Sequence, residues 1–351
     1  MPVRGSRRAG QAVFLAAALL GATGVSAKEA PAFFPALAEN FPDPFVIVHG
    51  GRFLAYATNA GGTNVQMAES ADLVRWAPVR DPDDPKKLRD AMPKLGAWAK
   101  EGFTWAPEVM ANGGGFILYY TARDRKSDQQ CIGAATSADP RGPFVDKAAA
   151  PLVCQHDLGG TIDANPFRDG DGQLYLYFKN DGNHPSARTA TRLWGQKLSP
   201  DGLSLEGEAV PLLKNDKSWQ AHVIEAPSMV RQGGGAYTLF YSANDYAWQP
   251  DQRLSAYGFG YAACKGPLGP CTDAPGNPLL YSFSSKEAGC VSGPGHQAVF
   301  EVAGRSFVAF HAWSATAGCR PLNSGRFLYV APLLWKDGKP QVGPSIRPAK
   351  K

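Results

Sequence analysis

One pattern recurs five times along the 351 residues, and it restricts the fold more than any other property of the chain. The copies read DPFVIVHGGRFLAYATN from Asp43, WAPEVMANGGGFILYYTAR from Trp105, DANPFRDGDGQLYLYFKND from Asp163 and EAPSMVRQGGGAYTLFYSAND from Glu225. A looser fifth, GPGHQAVFEVAGRSFVAFHAW, begins at Gly293. Each has the grammar of a β-hairpin: a strand near a Pro, a turn of Gly, Asp or Asn, and a second apolar strand. The openings lie about 60 to 70 residues apart, which leaves room for outer strands such as CIGAATS from Cys131 and YGFGYAA from Tyr257. Segments such as FILYY from Phe116 and YTLFY from Tyr237 are aromatic and β-rich, as half-buried strands should be. Five units of four strands predict an all-β, five-bladed β-propeller. An irregular β-sandwich or two small β domains are the competing folds. No low-complexity linker divides residues 30–345, which favours one closed domain over residues 28–351.

Composition agrees. Gly 39 and Pro 29 suit many tight turns, and helical heptads are absent. The N-terminus reads differently. Arg4, Arg7 and Arg8 precede an apolar run over residues 12–25, and Val25-Ser26-Ala27 supplies small residues for cleavage. Residues 1–27 are therefore expected to be a secretory signal peptide, too short for a membrane span. Its loss removes three Arg and no acid, so the formal charge falls from +5 to +2. A nearly neutral chain without a Lys/Arg cluster argues against a nucleic-acid partner. Export implies a secreted or periplasmic protein with no membrane partner after cleavage, expected as a monomer. Six cysteines in such a chain suggest disulfides. Fifteen connectivities are open, and nearest neighbours are the working expectation: 131–154, 264–271 and 290–319. Zinc is disfavoured, since no CxxC occurs.

Three repeat openings carry an acid near a Pro: Asp43-Pro44, Asp163-Ala164-Asn165-Pro166 and Glu225-Ala226-Pro227. Phe41, Phe45, Ile47, Ile162, Phe167, Ile224 and Met229 flank them. An acid in an apolar strand is costly unless paired or used. Three at one place in the repeat would converge on the propeller axis, and their repulsion would raise at least one pKa. That suits glycoside hydrolysis, which needs one protonated acid and one ionised carboxylate. Turn capping or pairing with buried Arg is the bland reading. Asp169 and Asp171 resemble a calcium loop but lack its closing Glu, so a hairpin turn is expected there. Glu108 has the wrong place in its repeat to be the acid.

Together PDPFVIV, WAPEV, DANPF and IEAPSMV resemble glycoside hydrolase family 43, the five-bladed arabinanases, α-L-arabinofuranosidases and β-xylosidases. The resemblance implies inversion, with Asp43 as general base, Glu225 as general acid and Asp163 raising and orienting that acid. Base and acid should then stand roughly 6.5–9.5 Å apart. It also implies substrate-side places for Trp105, His296 and Arg326. Blade packing remains the alternative for Trp105, a structural role for His296, and a salt bridge to an acid for Arg326. No cofactor is required by this chemistry, although the resemblance allows an ion, calcium included, near His296. The substrate implied is a plant cell-wall oligo- or polysaccharide containing arabinose or xylose. The chain ends soon after the fifth repeat, without the C-terminal β-sandwich of many family β-xylosidases. That tilts the expectation to removal of terminal α-L-arabinofuranosyl residues from arabinan or arabinoxylan. A β-xylosidase and an endo-α-1,5-arabinanase are the alternatives. Fructan-active propellers typically show Asn-Asp-Pro-Asn and a Cys after the acid, where this chain has Pro42-Asp43-Pro44 and Ala226. A non-catalytic sugar-binding propeller would usually have lost one of the three acids.

Overall fold

Each repeat folds into its own antiparallel sheet. The computed structural model describes Met1 and residues 33–185, 187–249, 251–285, 289–316 and 318–346. Beyond Met1, the expected leader lies outside the described residues. The innermost strands are Phe45–His49, Ala99–Asn112, Thr161–Arg168, Ile224–Arg231 and Gly289–Val302. Each packs against the next, and the last returns to the first, so the five sheets close as a five-bladed propeller. Successive strands in each blade run outward in chain order. The count of four per blade holds only in part. The second blade has three, and isolated bridges from Val145 and Val153 stand in for its outer edge. The fifth gains Phe283–Ser285 on the early half of its inner strand.

The second strands depart from expectation. Instead of being half-buried, Leu174–Asn180 is buried at every residue, and Tyr119, Tyr120, Phe240 and Tyr241 are inaccessible. Each second strand is sandwiched between neighbouring blades, so both faces must be apolar. The tyrosines among them carry their hydroxyls outward to a partner: Tyr56 to Pro140 O, Tyr119 to Gly202 O and Tyr177 to Pro267 O, at 2.7–2.8 Å. All three expected disulfides form: Cys131–Cys154, Cys264–Cys271 and Cys290–Cys319. Asp169 and Gln173 close a hairpin turn, as expected. The segment before the first blade joins the last one: Ala36 and Phe41 donate backbone hydrogen bonds to Leu328 O and Arg326 O, both at 2.8 Å.

One backbone device repeats in every blade. Asp43, Ala106, Asp163, Ala226 and His296, one in or just before each inner strand, have φ between 43° and 60°. This left-handed conformation costs a non-glycine residue about 1–2 kcal/mol. In blades two to five it coincides with a register shift in the inner ladder. Each left-handed N–H leaves that ladder and is taken by a side chain. Thr58 accepts from Ala106 at 3.0 Å, Thr121 from Asp163 at 3.2 Å, Ser242 from His296 at 2.8 Å and His311 from Asp43 at 3.1 Å. Each of these four acceptors belongs to the blade before. The device also corrects the expectation that the acids share one place in the repeat. Asp43 and Asp163 are left-handed residues, as is His296, whereas Glu225 comes one residue before its own, Ala226. Glu225 is thus in register with Trp105.

Thr121→Val keeps shape but removes the acceptor for a buried N–H. It should lower the unfolding free energy by about 1–3 kcal/mol, measured by urea denaturation. Unchanged stability would show that the N–H finds another partner.

Candidate active site

All six residues singled out from sequence, Asp43, Trp105, Asp163, Glu225, His296 and Arg326, line one cavity of about 380 Å³. The acids come from blades one, three and four, Trp105 from the second and His296 and Arg326 from the fifth. A second cavity of about 490 Å³ shares Asn183, Glu225 and Tyr246 with it. A recess of about 520 Å³ at Asp124, Cys154 and His156 contains none of the three acids.

Asp43 is 8% exposed and surrounded by cationic and polar groups. Arg326 Nη1 lies 2.8 Å from Oδ1, and Thr58 donates its hydroxyl to Oδ2. The Nδ1 atoms of His311 and His296 stand 3.2 and 3.4 Å from Oδ1. Burial pushes the Asp43 pKa up, but Arg326, His296 and His311 outweigh it and hold the carboxyl well below its ordinary range. His311 itself is driven down to about 4 by burial and by Arg326, so its ring is neutral at pH 7. Arg326 has both the salt bridge and a place on the cavity wall, with its guanidinium 5.2 Å from the ring centre of exposed Tyr246.

The other two acids face a different environment. Asp163 Oδ2 accepts the N–H of Ala226 at 3.0 Å, which holds its carboxyl beside the backbone following Glu225. Burial and the charges of Glu225 and Asp43 raise Asp163 to about 6, against the opposing pull of His296 and Lys179. Glu225 is gripped at both oxygens: Lys179 Nζ donates to Oε2 at 3.0 Å and the Tyr257 hydroxyl to Oε1 at 2.7 Å. Burial opposes ionisation of Glu225, but Lys179 and Tyr257 pull its pKa below the usual value. In the free protein the raised member of this coupled pair is thus Asp163, because Lys179 stabilises charge on Glu225.

The Asp43 side and the Glu225 side of the cavity are joined through one stack. The Tyr257 ring lies flat against His311, with centroids 5.8 Å apart and planes at 9°. Gly295 makes room for it, since a Cβ there would meet the Tyr257 ring at 2.1 Å. Trp105 is half-buried on the wall. Glu108 does not line this cavity and accepts a hydrogen bond from Asn165 at 2.7 Å. Among the described residues no group of three or more His, Cys, Asp or Glu could hold a metal ion.

Sequence reading missed Thr58, Lys179, Tyr257 and His311. The one available signal was a lysine directly after the apolar run LYLYF of that strand.

Comparison with known proteins agrees with this architecture. The chain is 24% identical over 323 residues to the extracellular endo-α-(1→5)-L-arabinanase 2 of Bacillus subtilis strain 168, covering 77% of this chain and 64% of that one. It is 25% identical to the extracellular exo-α-(1→5)-L-arabinofuranosidase ArbA of Cellvibrio japonicus, covering 86% and 85%. The crystal structure of a thermostable family-43 glycoside hydrolase superposes with a TM-score of 0.73 at 30% identity, over 89% of this chain and 95% of that one. The family model for glycosyl hydrolases family 43 matches residues 34–340, and the chain belongs to that family.

Proposed function

We propose that the protein is an inverting glycoside hydrolase that removes terminal α-L-arabinofuranosyl residues from arabinan or arabinoxylan. One observation carries this reading: a single cavity holds a carboxylate kept ionised, Asp43, opposite a buried carboxyl pair that retains a proton up to about pH 6. That is the division of labour glycoside hydrolysis requires. Asp43 takes a proton from water as the water oxygen bonds to the anomeric carbon. The glycosidic C–O bond breaks, and Glu225 gives its proton to the departing oxygen. Asp43 then returns its proton to solvent and the Asp163–Glu225 pair regains one. Asp163 keeps a proton within reach and, through Ala226 N–H, fixes the strand that carries Glu225. Trp105 and Tyr246 offer aromatic faces to a sugar, while Arg326 and His296 face the same space. Carboxyl groups suffice for these steps, with no metal called on.

The second cavity supports an endo-arabinanase as the alternative. Glu225 borders both spaces, so a leaving group longer than one sugar has somewhere to lie. Relatives named as arabinanase and arabinofuranosidase support the arabinan reading, beside others named xylosidase/arabinosidase. Three disulfides, and relatives named extracellular, support export to act on plant cell-wall polysaccharide. Among the described residues no helix is long and apolar enough to cross a membrane.

A product-resolved screen on arabinan, arabinoxylan and xylo-oligosaccharides should release arabinose alone, and proton NMR should detect the inverted anomer first. Xylose as sole product, or retained configuration, would overturn the reading. Asp43→Asn and Glu225→Gln should each lower kcat by about 10²–10⁴-fold with an unchanged circular dichroism spectrum. Glu225→Gln should lose least on an aryl glycoside, whose leaving group needs no proton. In the native enzyme kcat/KM should hold through acidic pH and fall as pH rises through about 6, where the pair gives up its proton. Asp163→Asn removes a negative neighbour, so Glu225 ionises more readily and that fall should move to lower pH.

A further inference from the structure

The second strands hold one equivalent position per blade, opposite the residue preceding each left-handed one. Its occupants are Thr58, Thr121, Lys179, Ser242 and His311. Four of them accept the left-handed N–H of the following blade. Lys179 breaks the rule, because an ammonium has no lone pair to offer. The N–H it would have served, that of Ala226, goes to Asp163 Oδ2 instead, at 3.0 Å. Lys179 extends to Glu225 Oε2 at 3.0 Å, with Asp181 Oδ1 at 3.8 Å and no exposure to solvent.

A fully buried lysine is rare and costly, whereas a hydroxyl here would satisfy the fold as it does in three other blades. The exception therefore serves the site. We propose that Lys179 is a positioning residue for the acid: its ammonium clamps Glu225 Oε2 opposite Tyr257, displaces the capping task onto Asp163, and sets the upper pH limit at which Glu225 still delivers a proton.

The groups facing Glu225 come from several elements. Lys179 and Asp181 approach from the second strand of the third blade and its end, and Asp163 from that blade's inner strand. Tyr257 comes from beside the fourth blade's third strand, and His296 from the fifth blade. Arg188, His222 and Asp245 border the second cavity with Glu225, His184 faces Asp181, and Asp43 acts through Asp163. Among them Lys179 is the cation in direct contact with the carboxylate. Its loss removes the largest charge favouring the anion and leaves Glu225 buried with a phenol, His296 and two acids nearby, which favours the protonated form.

The inference rests on Glu225 being the general acid, and the experiment separates the two. kcat/KM is measured against pH for native enzyme, Lys179→Thr, Lys179→Arg and Glu225→Gln. Lys179→Thr, which restores the hydroxyl of the other blades, should carry the alkaline fall upward by about 1–3 pH units. Lys179→Arg, which keeps the charge, should leave that fall at its native position. A folded Lys179→Thr enzyme whose alkaline fall does not move overturns the role of Lys179 while leaving the hydrolase reading intact. Near-native activity of Glu225→Gln on a poor leaving group overturns the acid assignment and this inference together. Should Lys179→Thr not fold, carboxyl-carbon NMR of the native protein decides. Glu225 titrating below the ordinary glutamate range supports the clamp, and titration above it refutes it.

Discussion

The structure depends on one awkward backbone requirement. Each inner strand contains or is preceded by a left-handed residue, and its N–H cannot join the ladder of its own blade. A buried N–H without a partner costs about 1–3 kcal/mol. In all five blades the preceding blade supplies the acceptor, from the equivalent second-strand position in four cases and from Asp163 in the remaining one, so each blade is completed by its neighbour. The same bend brings Asp43, Asp163 and His296 to one cavity from three different blades. Structural need and the arrangement of the cavity share their atoms: Thr58 accepts from Ala106 and donates to Asp43, and His311 accepts from Asp43 while standing beside its carboxylate.

Three carboxyl groups in one small cavity repel one another, and the fold resolves this unevenly. Asp43 receives an arginine and two imidazoles, Glu225 a lysine and a phenol, and Asp163 a single backbone N–H. The poorly compensated carboxyl is the one that keeps a proton. Environment, more than residue type, separates the roles of these chemically near-identical groups.

Much of this was legible in the sequence, and the rest was hidden for physical reasons. The repeat announced five hairpins because Gly, Asp and Asn turns between apolar strands have few other uses. The acids stood out against Phe41, Ile162 and Ile224. The offset of Glu225 was not readable: Ala226 gives no sign that it bears the left-handed bend, whereas an Asp is a more usual occupant of that conformation. Lys179 was visible only as an oddity, since its meaning needs the alignment of second strands by hydrogen-bond register. Tyr257 and His311 matter through a stack between two blades, which no local spacing encodes.

The ring is closed where its first and last blades meet, and the segment before the first blade helps to hold that seam. Phe41 N–H bonds to the carbonyl of Arg326, whose side chain grips Asp43 two residues further along the chain. Mechanical integrity of the circle and the hold on the Asp43 carboxylate are therefore one linkage. Loosening at this junction would disarm the enzyme while most blades are still intact, so loss of turnover on heating would run ahead of the melting of the sheets.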